Sequence, residues 1–217
     1  MKLTRTLSLI LVLALGTPLP AFAQQQQPQT PASASQTGAQ GFLRARHEVV
    51  NRILRRPARS PADQARVRQE LGRALADLLD YDELSRQSLA SHWAEHSEAE
   101  RREFVELLRQ LVQQSYQQNL RSTLDFDIRY VSEAPAQGDA VVVRTTARSR
   151  SRRRAPEVAI DYSLKRTGSS WKVFDVTTDG VSLVRNYRTQ FNRIIQREGW
   201  PALLQRMRSR LEAGSEI

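Results

Sequence analysis

The chain has 217 residues, no cysteine, and 33 lysines and arginines against 23 acidic residues, for a formal net charge of +10. Without cysteine there is no disulfide and no lipid-modified cysteine anchor, so the fold must rest on its core, and a chain of this length can bury one. After the N-terminus no segment is long and apolar enough to cross a bilayer, which takes about 20 apolar residues.

Residues 1–23 read as a secretory signal peptide. Lys2 and Arg5 form its positive end, residues 7–16 its short apolar run, and Ala21-Phe22-Ala23 its small-x-small cleavage site. Residues 24–40 are rich in Gln, Pro, Ala, Ser and Thr and uncharged. Such a tract cannot offset its ordering entropy, so it is expected to be a disordered leader. A single domain over 41–213 and a flexible tail over 214–217 complete the division.

The folded part begins with helical periodicity. Phe42, Val49, Val50, Ile53 and Leu54 stripe residues 42–56. Ser60, Pro61 and Asp63 form a start signal for a second helix, striped by Val67, Leu71, Leu75, Leu78 and Leu79. A short helix over 80–91 follows, with Asp80 and Glu83 at capping-box spacing. Ser97 and Glu100 repeat that spacing before the clearest helix, 104–120, whose apolar face carries Phe104, Leu107, Leu108, Leu111, Val112, Tyr116 and Leu120.

The period then changes from helical to alternating. Phe126, Ile128 and Tyr130 alternate as a half-buried strand does. Residues 139–148, 158–164 and 171–178 add three more strands, joined by short Gly-containing or charged turns. Four strands with short connections make an antiparallel meander, because parallel pairs need long crossovers. Asp179-Gly180 is a tight turn, Ser182 an N-cap, and two helices close the chain. The first is striped by Val184, Tyr187, Phe191, Ile194 and Ile195; Gly199 ends it, and Pro201 opens the second. The expected fold class is α+β, a four-stranded antiparallel curved sheet packed against several helices.

Few residues carry a signal for chemistry. His92 and His96 stand four apart but lack a third ligand, and Ser97 ends regular helix between them and the next segment, so no metal site is assigned. Gly180-Val181-Ser182 half-matches a nucleophile elbow, yet no histidine follows it to act as base. Asp125 and Asp127 share a strand face and read as solvated acids. No catalytic residue and no cofactor are expected. Arg148, Arg150, Arg152, Arg153 and Arg154 crowd the turn between the second and third strands. In a secreted chain without interleaved aromatics this run does not read as a nucleic-acid site. A solvated hairpin tip, or a surface for anionic headgroups or an acidic docking partner, fits it equally well. Val141, Val142 and Val143, and Trp171 through Val176, are apolar on both strand faces, which calls for cover on both sides or for a cavity on one.

From about residue 81 to 211 the chain resembles the MlaC family, periplasmic phospholipid-binding proteins also described as toluene-tolerance or auxiliary transport proteins. The resemblance rests on Tyr81-Asp82-Glu83-Leu84-Ser85-Arg86 leading to Trp93, and on Glu103-Phe104-Val105-Glu106-Leu107-Leu108 with Tyr116. It continues through Val158 to Leu164 with its Asp161-Tyr162 pair, and through Trp171-Lys172-Val173-Phe174-Asp175-Val176 to Gly180-Val181-Ser182-Leu183. Asn186-Tyr187-Arg188 and Gln190-Phe191 close it. The Arg-rich turn and the Gln-rich leader depart from the pattern.

The resemblance implies an NTF2-like sheet with added helices. It implies a soluble, monomeric periplasmic carrier that holds the acyl chains of a glycerophospholipid and shuttles it between the outer and inner membranes. The implied partners are an inner-membrane ABC transporter complex with a lipid-binding ring and an outer-membrane lipoprotein–porin complex. The cavity would then lie between the 104–120 helix, the inner sheet face and the helix after Ser182. Its expected lining residues are Leu108, Val112, Tyr116, Val142, Ile160, Tyr162, Leu164, Val173, Val181, Leu183 and Tyr187. Two other readings remain at this point: a small NTF2-like enzyme using Asp161, Asp175 and Tyr162, or a ligand-free adaptor of an envelope complex.

Overall fold

The computed structural model describes residues 38–118, 124–152 and 154–213. The signal peptide, the leader up to residue 37, Leu120, Arg153 and the 214–217 tail lie outside the described residues. The elements run α1 (Ala39–Leu54), α2 (Pro61–Leu78), α3 (Tyr81–Leu89), a 3-10 turn (Ala90–Glu95) and α4 (Glu98–Gln118). Then come β1 (Phe126–Pro135), β2 (Val141–Ser149), β3 (Val158–Thr167), β4 (Ser170–Thr178), β5 (Val181–Ser182), α5 (Leu183–Glu198) and α6 (Trp200–Ala213). No helix among the described residues is long and apolar enough to cross a membrane.

The helix starts follow local chemistry. Ser60 accepts from the Asp63 amide at 3.1 Å while Asp63 accepts from the Ser60 amide at 3.2 Å, a reciprocal cap with Pro61 at the first helical position. Ser97 and Glu100 do the same for α4. At α3 only half the expected box forms. Asp80 accepts from the Glu83 amide, but Glu83 itself turns to Arg86, Gln87 and Lys165. Helix α1 begins at Ala39, two residues before the expected boundary at Gly41, because Glu133 of the sheet accepts from the Gln40 amide at 2.8 Å and puts a carboxylate at the positive helix end.

The sheet is antiparallel with strand order β1-β2-β3-β4-β5. It has five strands, one more than the alternation pattern shows. The extra strand is only two residues long, too short for a period to register. Asp179 and Gly180 both take positive φ, 47° and 83°, which gives the two-residue hairpin turn that matches strand twist. Shifts of register between Tyr130 and Ser132 and between Ser163 and Leu164 bend β1 and the β3–β4 pair.

Buried apolar side chains form three clusters. Phe104, Leu108, Leu111, Tyr187, Phe191 and Leu203 join α3 to α6. Ala39, Leu43, Leu78, Val143, Leu164 and Val173 seal the start of α1 against one end of the sheet. Val50, Ile53, Leu71 and Leu75 hold α1 to α2. Leu79, extended after α2, bridges Val173 in parallel, and the Asp80 amide donates to the Val173 carbonyl at 2.8 Å. That junction fixes the helical layer to β4.

Candidate functional site

Between the three clusters lies a hollow of about 430 Å³. The strand register decides which residues face it. Ala147 stands opposite Ile128 and Val158, Tyr162 opposite Val143 and Val176, and Ile160 opposite Thr178. Phe126, Ile128, Ala147, Val158, Ile160, Tyr162, Val173, Val176 and Thr178 form the sheet wall. The opposite wall is His47, Val50 and Asn51 of α1, Leu75 and Leu78 of α2, Leu79, Leu84 of α3, Val112 and Tyr116 of α4, and Leu183 of α5.

The wall is apolar apart from a few groups. Among the described residues no lysine or arginine lines it, and Asp175 is its one carboxylate. Asp175 is engaged: it accepts from Ser182 Oγ at 2.5 Å and from the Val184 amide at 3.0 Å, which fastens the start of α5 to β4. His47 places Nδ1 2.8 Å from the Tyr130 hydroxyl and packs its ring edge-on to Tyr162, centroids 5.2 Å apart. Burial lowers the His47 pKa to about 4, so the ring is neutral near pH 7. Burial likewise pushes the Tyr116 and Tyr130 phenols up to about 12 and raises that of Tyr162. Nothing here offers a nucleophile beside a base; the arrangement can take up apolar matter and donate a few hydrogen bonds to it.

Of the expected lining residues, Val112, Tyr116, Ile160, Tyr162, Val173 and Leu183 stand at the wall. Leu108 and Tyr187 are buried among the helices of the α3–α6 cluster. Leu164 is fully buried under α1. Val142 shares the outer sheet face with Arg144, as the burial alternation along β2 shows, and Val181 is 63% exposed. Sequence reasoning missed the α1 and α2 wall, His47 and Asn51 above all. Their four-residue spacing puts both on one helix face and was the available signal.

The other motifs have structural work. His92 bonds Glu95 and Asn192, at 2.7 and 2.8 Å, and His96 stacks on Trp200 with centroids 3.7 Å apart. Among the described residues no three His, Cys, Asp or Glu side chains come together to hold a metal. Ser182 caps α5 by accepting from the Arg185 amide. Asp161 faces Arg144 on the outer sheet face, 3.9 Å away. Asp125 accepts from Ser149 and Ser151, and Arg150 pairs with Asp127 at 3.3 Å, so both acids secure the root of the Arg-rich turn.

Known proteins share this architecture. The phospholipid-binding protein from Ralstonia solanacearum, solved in complex with a phospholipid, superposes with a TM-score of 0.67 at 21% identity, covering 81% of this chain and 98% of that one. At that identity the likeness speaks to the fold. No curated protein matches the sequence. The family model for the MlaC protein matches residues 44–209, from the first turns of α1 to the last of α6, and on that match the chain belongs to the MlaC family.

Proposed function

We propose that the protein is a periplasmic glycerophospholipid carrier. It takes the acyl chains into the hollow and moves lipid between the outer and inner membranes, which maintains outer-membrane lipid asymmetry. The observation that carries this reading is the hollow itself. Folded interiors pack with few voids larger than a water, whereas about 430 Å³ falls within the usual range of ligand pockets, roughly 300–1,000 Å³. Its wall is mostly apolar and, among the described residues, holds no lysine or arginine. Family membership and the phospholipid bound to the Ralstonia solanacearum protein support the same ligand class. The signal peptide supports the periplasm.

Shielding an acyl chain from water gains about 0.8 kcal/mol per CH2. A bilayer shields it equally, so exchange between bilayer and hollow is close to balanced and runs either way. Direction then comes from the partners: an ATP-driven inner-membrane transporter with its lipid-binding ring, and an outer-membrane lipoprotein–porin complex. An enzyme reading has little to stand on, since Asp175 is committed to the α5 start and Asp161 faces outward.

Ile160→Trp tests the reading. Ile160 faces the hollow from the middle of the sheet, so an indole there fills the space without cutting into a packed cluster. Val173 is the poorer choice, because it is buried against Leu79 and Leu164. Mass spectrometry of an organic extract should find phospholipid with the wild type and a large loss of it with a folded Ile160→Trp variant. Equal lipid in both, or none in the wild type, would count against the carrier.

A further inference from the structure

The hollow carries a polar corner that hydrocarbon tails do not explain. His47 and Asn51 lie four residues apart on α1, so both project from one face toward the sheet. Tyr116 reaches the same space from α4 and Tyr162 from β3. Tyr162 sits edge-on to His47 with ring centroids 5.2 Å apart, and the Tyr130 ring lies 6.1 Å from the same imidazole. The Tyr130 hydroxyl lies 2.8 Å from His47 Nδ1. Where Tyr130 donates to Nδ1, the neutral ring carries its proton on Nε2 and donates from there. Among the described residues, none of His47 Nε2, the Asn51 amide, Tyr116 Oη and Tyr162 Oη has a hydrogen-bond partner. None of the four is among the fully buried side-chain atoms without a partner.

A plain alkyl chain laid against this corner would strip water from several donors and return nothing. A phosphate would satisfy them, but its charge would enter an apolar hollow that no lysine or arginine lines among the described residues. The neutral acceptor that enters with the tails and stops short of the charged headgroup is the ester carbonyl. Resting on the phospholipid reading above, we propose that Tyr162, Tyr116, His47 and Asn51 form a donor site for the acyl ester carbonyls of the bound lipid. The protein then selects ester-linked over ether-linked glycerophospholipids. Tyr162 is the central donor, since its register opposite Val143 and Val176 fixes it in mid-sheet.

The test is a competition in which the two lipids differ only at the linkage. Delipidated protein is incubated with vesicles holding equal amounts of dioleoyl phosphatidylglycerol and its dioctadecenyl ether counterpart, re-isolated, and its bound lipid quantified by mass spectrometry. The wild type should enrich the ester form roughly five- to tenfold, the weight of one to two neutral hydrogen bonds. Tyr162→Phe should lower the enrichment, and Tyr116→Phe with Tyr162→Phe should bring the ratio near one. Because the readout is a ratio within one sample, partial unfolding does not mimic it. An unselective wild type overturns the donor site but leaves the carrier standing, as does an enrichment that survives the double variant. A wild type that takes up neither lipid removes both.

Discussion

At the residue scale, two side chains in the hollow wall have measurable consequences. Asp175 accepts one bond from Ser182 Oγ and one from the Val184 amide, both at the start of α5. Asp175→Ala should destabilise the fold by about 1–2 kcal/mol, the usual weight of a lost cap, in urea denaturation, with lipid still recovered in the organic extract. Loss of lipid without loss of stability would instead make it a ligand contact. His47 gives a pH signature. Its folded pKa is about 4 against 6.5 unfolded, with the Tyr130 and Tyr162 rings against it, Arg44 and Glu48 acting on Tyr130, and the hydrogen-bonded Asp175 in the same hollow wall. Below pH 6.5 the unfolded chain takes up a proton that the folded one refuses. Stability therefore falls as the pH drops from 6.5 toward 4, by up to about 3 kcal/mol from this group, and the contribution is level above 6.5. His47→Gln does not titrate in that window. Its stability should decline less between pH 6.5 and 4, the carboxylates common to both proteins cancelling in the difference; parallel curves would mean that the wild-type ring is not held neutral.

At the element scale, what was legible in the sequence is what local chemistry decides. Ser60 with Asp63, Ser97 with Glu100, and Ser182 announce their helix starts because a cap involves residues three apart. The strands from β1 to β4 show their alternation over 9 or 10 residues each, while β5 has two residues and no period to show. The site was harder to read. Val141, Val142 and Val143 are chemically alike, and only the pairing of Val141 with Leu164 and of Val143 with Tyr162 tells that these two turn inward and Val142 outward. Leu108 and Val112 share a helix stripe, yet one packs in the helical cluster and the other on the hollow, a difference of rotation about the axis that a stripe does not encode. The apolar faces of α1 and α2 likewise look the same whether they meet side chains or a cavity. The turn into β5 is one element the sequence does define, through Asp179-Gly180. Gly180 sits at φ 83°, where a Cβ is strained though no atom lies within 4 Å of its place. Gly180→Ala should therefore cost about 1 kcal/mol through backbone strain alone, read from the urea midpoint at an unchanged slope. A neutral result would mean that the hairpin relaxes around the alanine.

At the scale of the whole molecule, the hollow and the excess charge meet at one end of the sheet. Ala147 and Val158, both in the hollow wall, are the last β2–β3 pair, and the turn that leaves them is the Arg-rich one. Arg150 is paired with Asp127 and Arg129 with Glu157, whereas Arg148, Arg152 and Arg154 have no acid partner among the described residues. Three guanidiniums without an acid partner beside the hollow, on a chain of net charge +10, make an anionic membrane surface the contact to test for this end. Each contributes about 1 kcal/mol near such a surface, so the three together approach roughly a hundredfold in binding at low ionic strength. The triple variant Arg148→Ala, Arg152→Ala and Arg154→Ala should lose most of that in co-sedimentation with phosphatidylglycerol vesicles. The gap from wild type should shrink at 1 M salt, where the Debye length is about 3 Å. Phosphatidylcholine vesicles should not separate the two proteins. The ester-to-ether ratio of the bound lipid should also stay at its wild-type value, since the proposed donors lie in the hollow and these arginines are not among its lining residues. A variant that binds anionic vesicles as well as the wild type would leave the turn a solvated hairpin tip.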